Sequence, residues 1–249
     1  MPTTRGRVRL PGISFVKTVY PAVPPAGMTA WYKANAIVGL NDDDLIATWP
    51  DSSGNAYDML QADDALKPKY KVNIINGQPT VRFATDYVTC GNAFSIGNNF
   101  TILFVCTLAN TTTRQTIFGQ ENTASSFNFI DFPGEVDGSF SIGNTVSAST
   151  VPVANPVLGM AYLISIVKNG SGTTQTYYQS GMQLTPNTNA SYNFTADGAK
   201  GLGRRAAGTQ SFSGDLAEII IYTSTLSSAD RLSGERYLAG KYNIRMYVA

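Results

Sequence analysis

Three groups of side chains in this sequence have types and spacings that could do chemistry. Aromatic platforms for sugar rings are offered by the neighbours Trp31 and Tyr32, by Tyr177 and Tyr178, and by Tyr192 with Phe194. Packing competes for each of them, because a strand-rich chain uses most of its aromatics in its core. Asp42, Asp43, Asp44, Asp51, Asp58, Asp63 and Asp64 crowd one stretch. Their oxygens are the donors that Ca²⁺ takes in sets of about six to eight. No EF-hand spacing orders them, so calcium is carried as an expectation of low weight and no metal ligands are assigned. Glycoside hydrolysis needs two carboxylates at a defined separation. The nearest approach is Glu135 and Asp137, beside a turn-like Pro133-Gly134. No catalytic residue is assigned there, and the chain is expected not to be an enzyme.

The composition removes other chemistries. The 249 residues contain no histidine, which excludes Ser-His-Asp and Cys-His catalysis and histidine metal ligation. Cys90 and Cys106 are the only cysteines, too few for a four-cysteine zinc site. Buried free thiols are the simpler reading of them, with a disulfide as the alternative. The net charge of +1 gives no pull toward nucleic acid or an anionic membrane, and neither is expected as a partner. No run approaches the length of a membrane span, and no signal peptide is recognisable.

The elements that must position these groups are strands. Charged residues make up only 14%, against 43% hydrophobic, with 23 Gly and abundant turn formers. In residues 100–108, Phe100, Ile102, Phe104, Cys106 and Leu108 share one face, and Leu103 and Val105 lie on the other, so both faces should be covered. Further strands are expected at 45–49, 80–83, 116–119, 127–131, 139–142, 161–167, 174–179 and 215–222. Residues 184–198 read as a loop. Ser227 followed by Asp230 resembles a capping box, opening one short helix through Tyr242. Residues 1–27 form a separate segment. Arg5, Arg7, Arg9 and Lys17 are its only charges, and Phe15 and Tyr20 add apolar surface before a Pro-rich linker. The segment reads as an extended arm that docks on a protein partner.

Three stretches then resemble one family. WPDSSGNAYD from Trp49 to Asp58, NGQPTVRF from Asn76 to Phe83, and a closing set (Gly201 to Arg204, Phe212 to Tyr222, Leu226 to Arg231, Tyr237 to Tyr242) are similar to motifs of laminin-G-like, concanavalin-A-like lectin/glucanase domains. The resemblance covers roughly residues 29–244, with the stretches at Gly201 and Phe212 similar to a closing hairpin. Asp51-Ser-Ser-Gly-Asn reads as turn chemistry, and Trp49 and Phe83 as core residues. In residues 214–222, Ala217, Ile219 and Ile221 are expected to face the core, and Glu218 and Tyr222 the outer side. The resemblance implies an all-β, two-sheet antiparallel jelly-roll sandwich over residues 28–249, with one short C-terminal helix. It also implies glycan binding by the aromatics named above. The third acid of the related glucanases' strand motif is missing after Glu135 and Asp137. Together with the arm, this leads to the expectation of a non-enzymatic virion protein: a phage head-decoration, fibre or tail-surface component, anchored to other virion proteins through residues 1–27 and displaying a sandwich toward a cell-surface glycan. A free bacterial carbohydrate-binding module is the alternative, and a hydrolase or lyase of the same fold is the second. A homo-oligomer is compatible with such a fold, although no heptads mark one.

Overall fold

The long apolar strand at residues 99–108 is the centre of the molecule. In the computed structural model, which describes residues 20–91, 94–123, 126–131, 140–144, 148–151, 156–171, 175–185, 198–204 and 210–247, it is flanked by strands on both edges and covered on both faces. The strands in chain order are β1 (Ala30–Lys33), β2 (Thr48–Trp49), β3 (Met59–Leu60), β4 (Lys69–Ile75), β5 (Gln78–Phe83), β6 (Val88–Thr89), β7 (Asn99–Leu108) and β8 (Thr116–Thr123). They continue with β9 (Ser126–Asp131), β10 (Phe140–Asn144), β11 (Ala148–Val151), β12 (Tyr162–Asn169), β13 (Gln175–Gln179), β14 (Met182–Leu184), β15 (Ala199–Leu202) and β16 (Gly214–Tyr222), followed by helix α1 (Ser228–Tyr242).

Two antiparallel sheets result. One runs β14-β13-β12-β7-β16-β5-β4, and β1 adds to the far half of the β16 edge that β5 leaves open. The other runs β11-β10-β9-β8-β15-β6-β3-β2. The fold is a two-sheet antiparallel β-sandwich with one C-terminal helix. Phe100, Ile102, Phe104, Cys106 and Leu108 face the second sheet, with Trp49, Phe83, Phe118, Ile219 and Ile221 in the same core. Leu103 and Val105 face outward and are covered by Tyr237, Leu238, Ala239 and Tyr242 of α1. The alternation of β7 therefore reports a three-layer arrangement: sheet, sheet, helix.

Two expectations are corrected. Ala217 was expected on the core face of β16 with Ile219 and Ile221. A β-bulge between Leu216 and Glu218 shifts the register, so Leu216 takes the core position and Ala217 and Glu218 both turn outward. The stretches around Gly201 and Phe212 were expected to form a closing hairpin. Instead β15 pairs with β6 and β8, while β16 lies in the opposite sheet, so the chain crosses between sheets there. Cys90 and Cys106 are free thiols.

The quoted motifs acquire physical reasons. Gly203 has φ of +90°, and a Cβ there would lie 2.3 Å from the Phe83 ring and 2.8 Å from the Asp86 carbonyl oxygen. The motif glycine thus permits a left-handed turn and close packing on the motif phenylalanine. Ser227 caps α1 by accepting the Asp230 N–H at 3.1 Å, and Asn243 ends it in the left-handed region. A Gly203→Ala variant should lose about 3 kcal/mol of stability, measured by urea unfolding, because strain and overpacking add. A midpoint within error of the parent would show the contact to be soft.

Candidate functional site

The site begins with a turn. Asp51 accepts hydrogen bonds from the backbone N–H of Trp31 (2.9 Å), Ser53 (2.9 Å) and Tyr57 (3.1 Å), and from the Ser53 hydroxyl (2.7 Å). Asn55 donates to the carbonyl of Thr29 at 2.9 Å, and Gly54 takes φ of +92°. Turn chemistry was legible in the sequence, but the partners are not only local. The turn clamps the segment that leads into β1, which fixes β1 against β16. Strand alternation then puts Ala30 and Tyr32 in the inter-sheet core and sends Trp31 and Lys33 outward beside α1.

A fully buried carboxylate ties these elements together. Glu218 accepts from the Trp31 indole N–H at 2.5 Å, from the Lys241 ammonium at 2.6 Å and from the Tyr242 hydroxyl at 2.9 Å. Lys241 also donates to Asn35 Oδ1 at 2.9 Å. Burial first, then the field of Glu218, pushes the phenols of Tyr237 and Tyr242 well above their ordinary range. Tyr237 and Lys241 are one helical turn apart, so both reach the same wall.

Above this network lies an open cleft of about 460 Å³. Tyr20, Pro21, Val23, Trp31 and Tyr237 give it apolar walls, and Lys33, Asn35 and Lys241 bring polar groups. Gly240 admits the N-terminal segment: a Cβ there would stand 2.5 Å from Tyr20 Cβ. The segment is further held by the Tyr222 hydroxyl, which donates to the Pro25 carbonyl at 2.7 Å. Lys33 places its ammonium 4.0 Å from the centre of the Trp31 ring. Burial, and next the nearby Lys241 charge, lower its pKa, against a smaller opposing effect of Glu218.

The expected binding aromatics separate sharply. Trp31 lines the cleft, 9% exposed. Tyr20, expected in the docking arm, forms its rim. Tyr32 and Tyr177 are corrected: both are completely buried between the sheets, where the Tyr32 hydroxyl donates to the Tyr57 carbonyl and that of Tyr177 to Gln175, so neither can meet a ligand. Tyr178 is half-buried, with the Arg231 guanidinium 3.6 Å from its ring centre. Arg5, Arg7, Arg9, Phe15, Lys17, Glu135, Asp137, Tyr192 and Phe194 lie outside the described residues. The sequence reading missed Lys33, Asn35, Tyr237 and Lys241. Glu218 carried a signal, since an acid inside an apolar strand run demands a buried partner.

The acidic residues near the start of the domain are engaged separately. Asp42 and Asp43 both turn to the Lys71 ammonium, at 2.6 and 2.9 Å. Asp51 organises its turn, Asp63 caps a short 3₁₀ turn, and Asp64 pairs with Lys67. Among the described residues no three acidic or thiol groups converge on a point that could hold a metal. A second cavity of about 550 Å³ on the same sheet is lined by Arg82 and Asp215. Those two neutralise each other through paired bonds of 2.9 and 3.0 Å, which leaves the first cleft as the stronger site.

No protein-family model and no curated protein matches the chain. Solved structures match in fold. The chain is similar to domain 4 of an extracellular GH43 arabinanase from Geobacillus stearothermophilus in complex with arabinotriose, with a TM-score of 0.60, 15% identity, and 84% of this chain and 98% of that domain covered. It is also similar to a sialidase from Trypanosoma rangeli, with a TM-score of 0.57 and 13% identity, covering 88% of this chain and 33% of the sialidase. A variant of that sialidase displaying trans-sialidase activity gives 0.59 and 13%. The chain thus spans about a third of the sialidase. At these identities the likeness establishes the sandwich fold. None of these comparisons supports the expectation of a virus-particle protein.

Two predictions follow from the side chains. Lys241→Met leaves Glu218 buried without its cation and should cost about 3–5 kcal/mol in urea unfolding. Because Asp42 and Asp43 already hold an internal ammonium, the melting temperature should be the same in excess EDTA and in millimolar calcium. A rise of several degrees with calcium would restore the metal expectation.

Proposed function

We propose that this chain is a non-enzymatic binding module that holds a glycan in the cleft between β1 and α1. The observation that carries the reading is the cleft itself: an aromatic and aliphatic wall with Lys33, Asn35 and Lys241 converging on one opening. The fold likeness to an arabinanase domain solved with arabinotriose supports carbohydrate as the ligand class. The reading as a binder rather than an enzyme rests on the carboxylates. Glu218 is the described acid beside the cleft, and it is buried and committed to three donors, so among the described residues no pair of carboxylates lines the opening.

A second reading concerns the N-terminal segment. Residues 20–25 are pinned against α1 and β16, so the described part of the segment is fixed to the domain. On this reading residues 1–19 serve as an anchor to a larger assembly, a virus particle in the expectation above, with the sandwich as the displayed module.

Glycan-array screening followed by calorimetry on the full chain tests the first reading. The double variant Lys33→Met/Asn35→Ala should keep its far-UV signal and lose at least tenfold in affinity for whichever glycan binds. Retained affinity would move the site elsewhere. Removal of residues 1–19 should leave both melting temperature and glycan affinity unchanged.

A further inference from the structure

The hydrogen-bonding groups of the cleft are unbalanced, and the imbalance selects a ligand. The Lys33 ammonium lies over the Trp31 ring and makes no hydrogen bond among the described residues, so its three N–H donors are uncommitted. Asn35 uses only its Oδ1, for Lys241, which leaves both Nδ2 hydrogens free. Among the described residues the acid beside the cleft is Glu218, which is fully buried and turned to Trp31, Lys241 and Tyr242, so it offers the opening no acceptor. Among the described side chains lining the cleft, the uncommitted groups of Lys33 and Asn35 Nδ2 are donors, and the phenols of Tyr20 and Tyr237 can do either. The ammoniums of Lys33 and Lys241 against the Glu218 carboxylate leave one positive charge in excess.

A neutral sugar hydroxyl can accept from such donors but brings no charge to meet the excess. A carboxylate is acceptor-only and carries the missing charge. We infer that the cleft selects a carboxylate-bearing sugar, with Lys33 Nζ and Asn35 Nδ2 as the groups that bind the carboxylate and the Trp31–Tyr237 wall as the surface for the ring. The inference rests on the glycan reading above and narrows it to acidic glycans. It also explains why Lys33 stands where it is costly. The side chain is partly desolvated and repelled by Lys241, a combination that lowers its pKa and favours a bound anion.

The test is calorimetric titration of the full chain at low and at physiological salt with two matched pairs: a uronic-acid trisaccharide and its carboxyl-reduced counterpart, and sialyllactose and lactose. At least one acidic member should bind ten or more times tighter than its neutral partner, and the preference should shrink as salt rises. Lys33→Met should abolish the preference, with an unchanged far-UV signal showing that the variant is folded. Asn35→Ala should reduce the preference in the same direction. Equal binding of both members of a pair, or a preference that survives Lys33→Met, overturns the inference and leaves the glycan reading standing. Binding of neither pair, together with an empty glycan array, removes the glycan reading and the inference with it.

Discussion

The buried carboxylate of Glu218 is the interaction on which the outer half of this protein depends. An acid in an apolar layer is tolerated only when its charge and lone pairs are met. Here they are met by donors from two elements, β1 through Trp31 and α1 through Lys241 and Tyr242, which Glu218 ties to its own strand β16. The inter-sheet core would form without this contact, as its residues lie on the other side of the sheet. The placement of helix against β1, and therefore the cleft between them, would not.

Everything that makes the cleft can be traced to local backbone devices. The bulge at Ala217 lets two successive residues of β16 face outward, which keeps the inward positions for Leu216 and Ile219 while releasing Glu218 to the helix side. The Asp51 turn sets the register of a four-residue strand too short to hold itself in place. Gly240 leaves room for Tyr20 on an otherwise closed helix face. Stability and site are thus built from the same parts, and Lys33 is the exception: it contributes charge to the cleft while its ammonium donates no hydrogen bond to the described residues.

The sequence reading reached the sandwich because period-two alternation survives in long strands such as β7, and because turn residues are specific in the runs around Asp51 and Gly203. It placed Trp49 and Phe83 in the core and Ser227 at the head of the helix, as found. It failed where the signal was short or irregular. β1 is four residues long, and its apolar run AWY hides the alternation that separates Trp31 from Tyr32. Ala217 was misplaced because a bulge breaks the period without any marker residue. Tyr177 and Tyr178 look equivalent in sequence, yet the pleat puts one between the sheets and the other under Arg231. The site itself was mostly illegible, since Lys33, Glu218 and Lys241 meet only through sheet pairing and helix docking. Residues 1–19 of the arm and the residues around Glu135 lie outside the described residues.

The central claim is that Lys33 is held charged, partly dehydrated and unsatisfied because it awaits a carboxylate. Its side-chain titration, followed by NMR on lysine-labelled protein, tests this most directly. The account predicts a Lys33 pKa below that of an ordinary lysine in the free protein, and a marked rise on adding saturating uronate that the matched neutral sugar does not produce. A Lys33 resonance that titrates identically with and without the acidic sugar, while that sugar binds elsewhere on the chain, would contradict it.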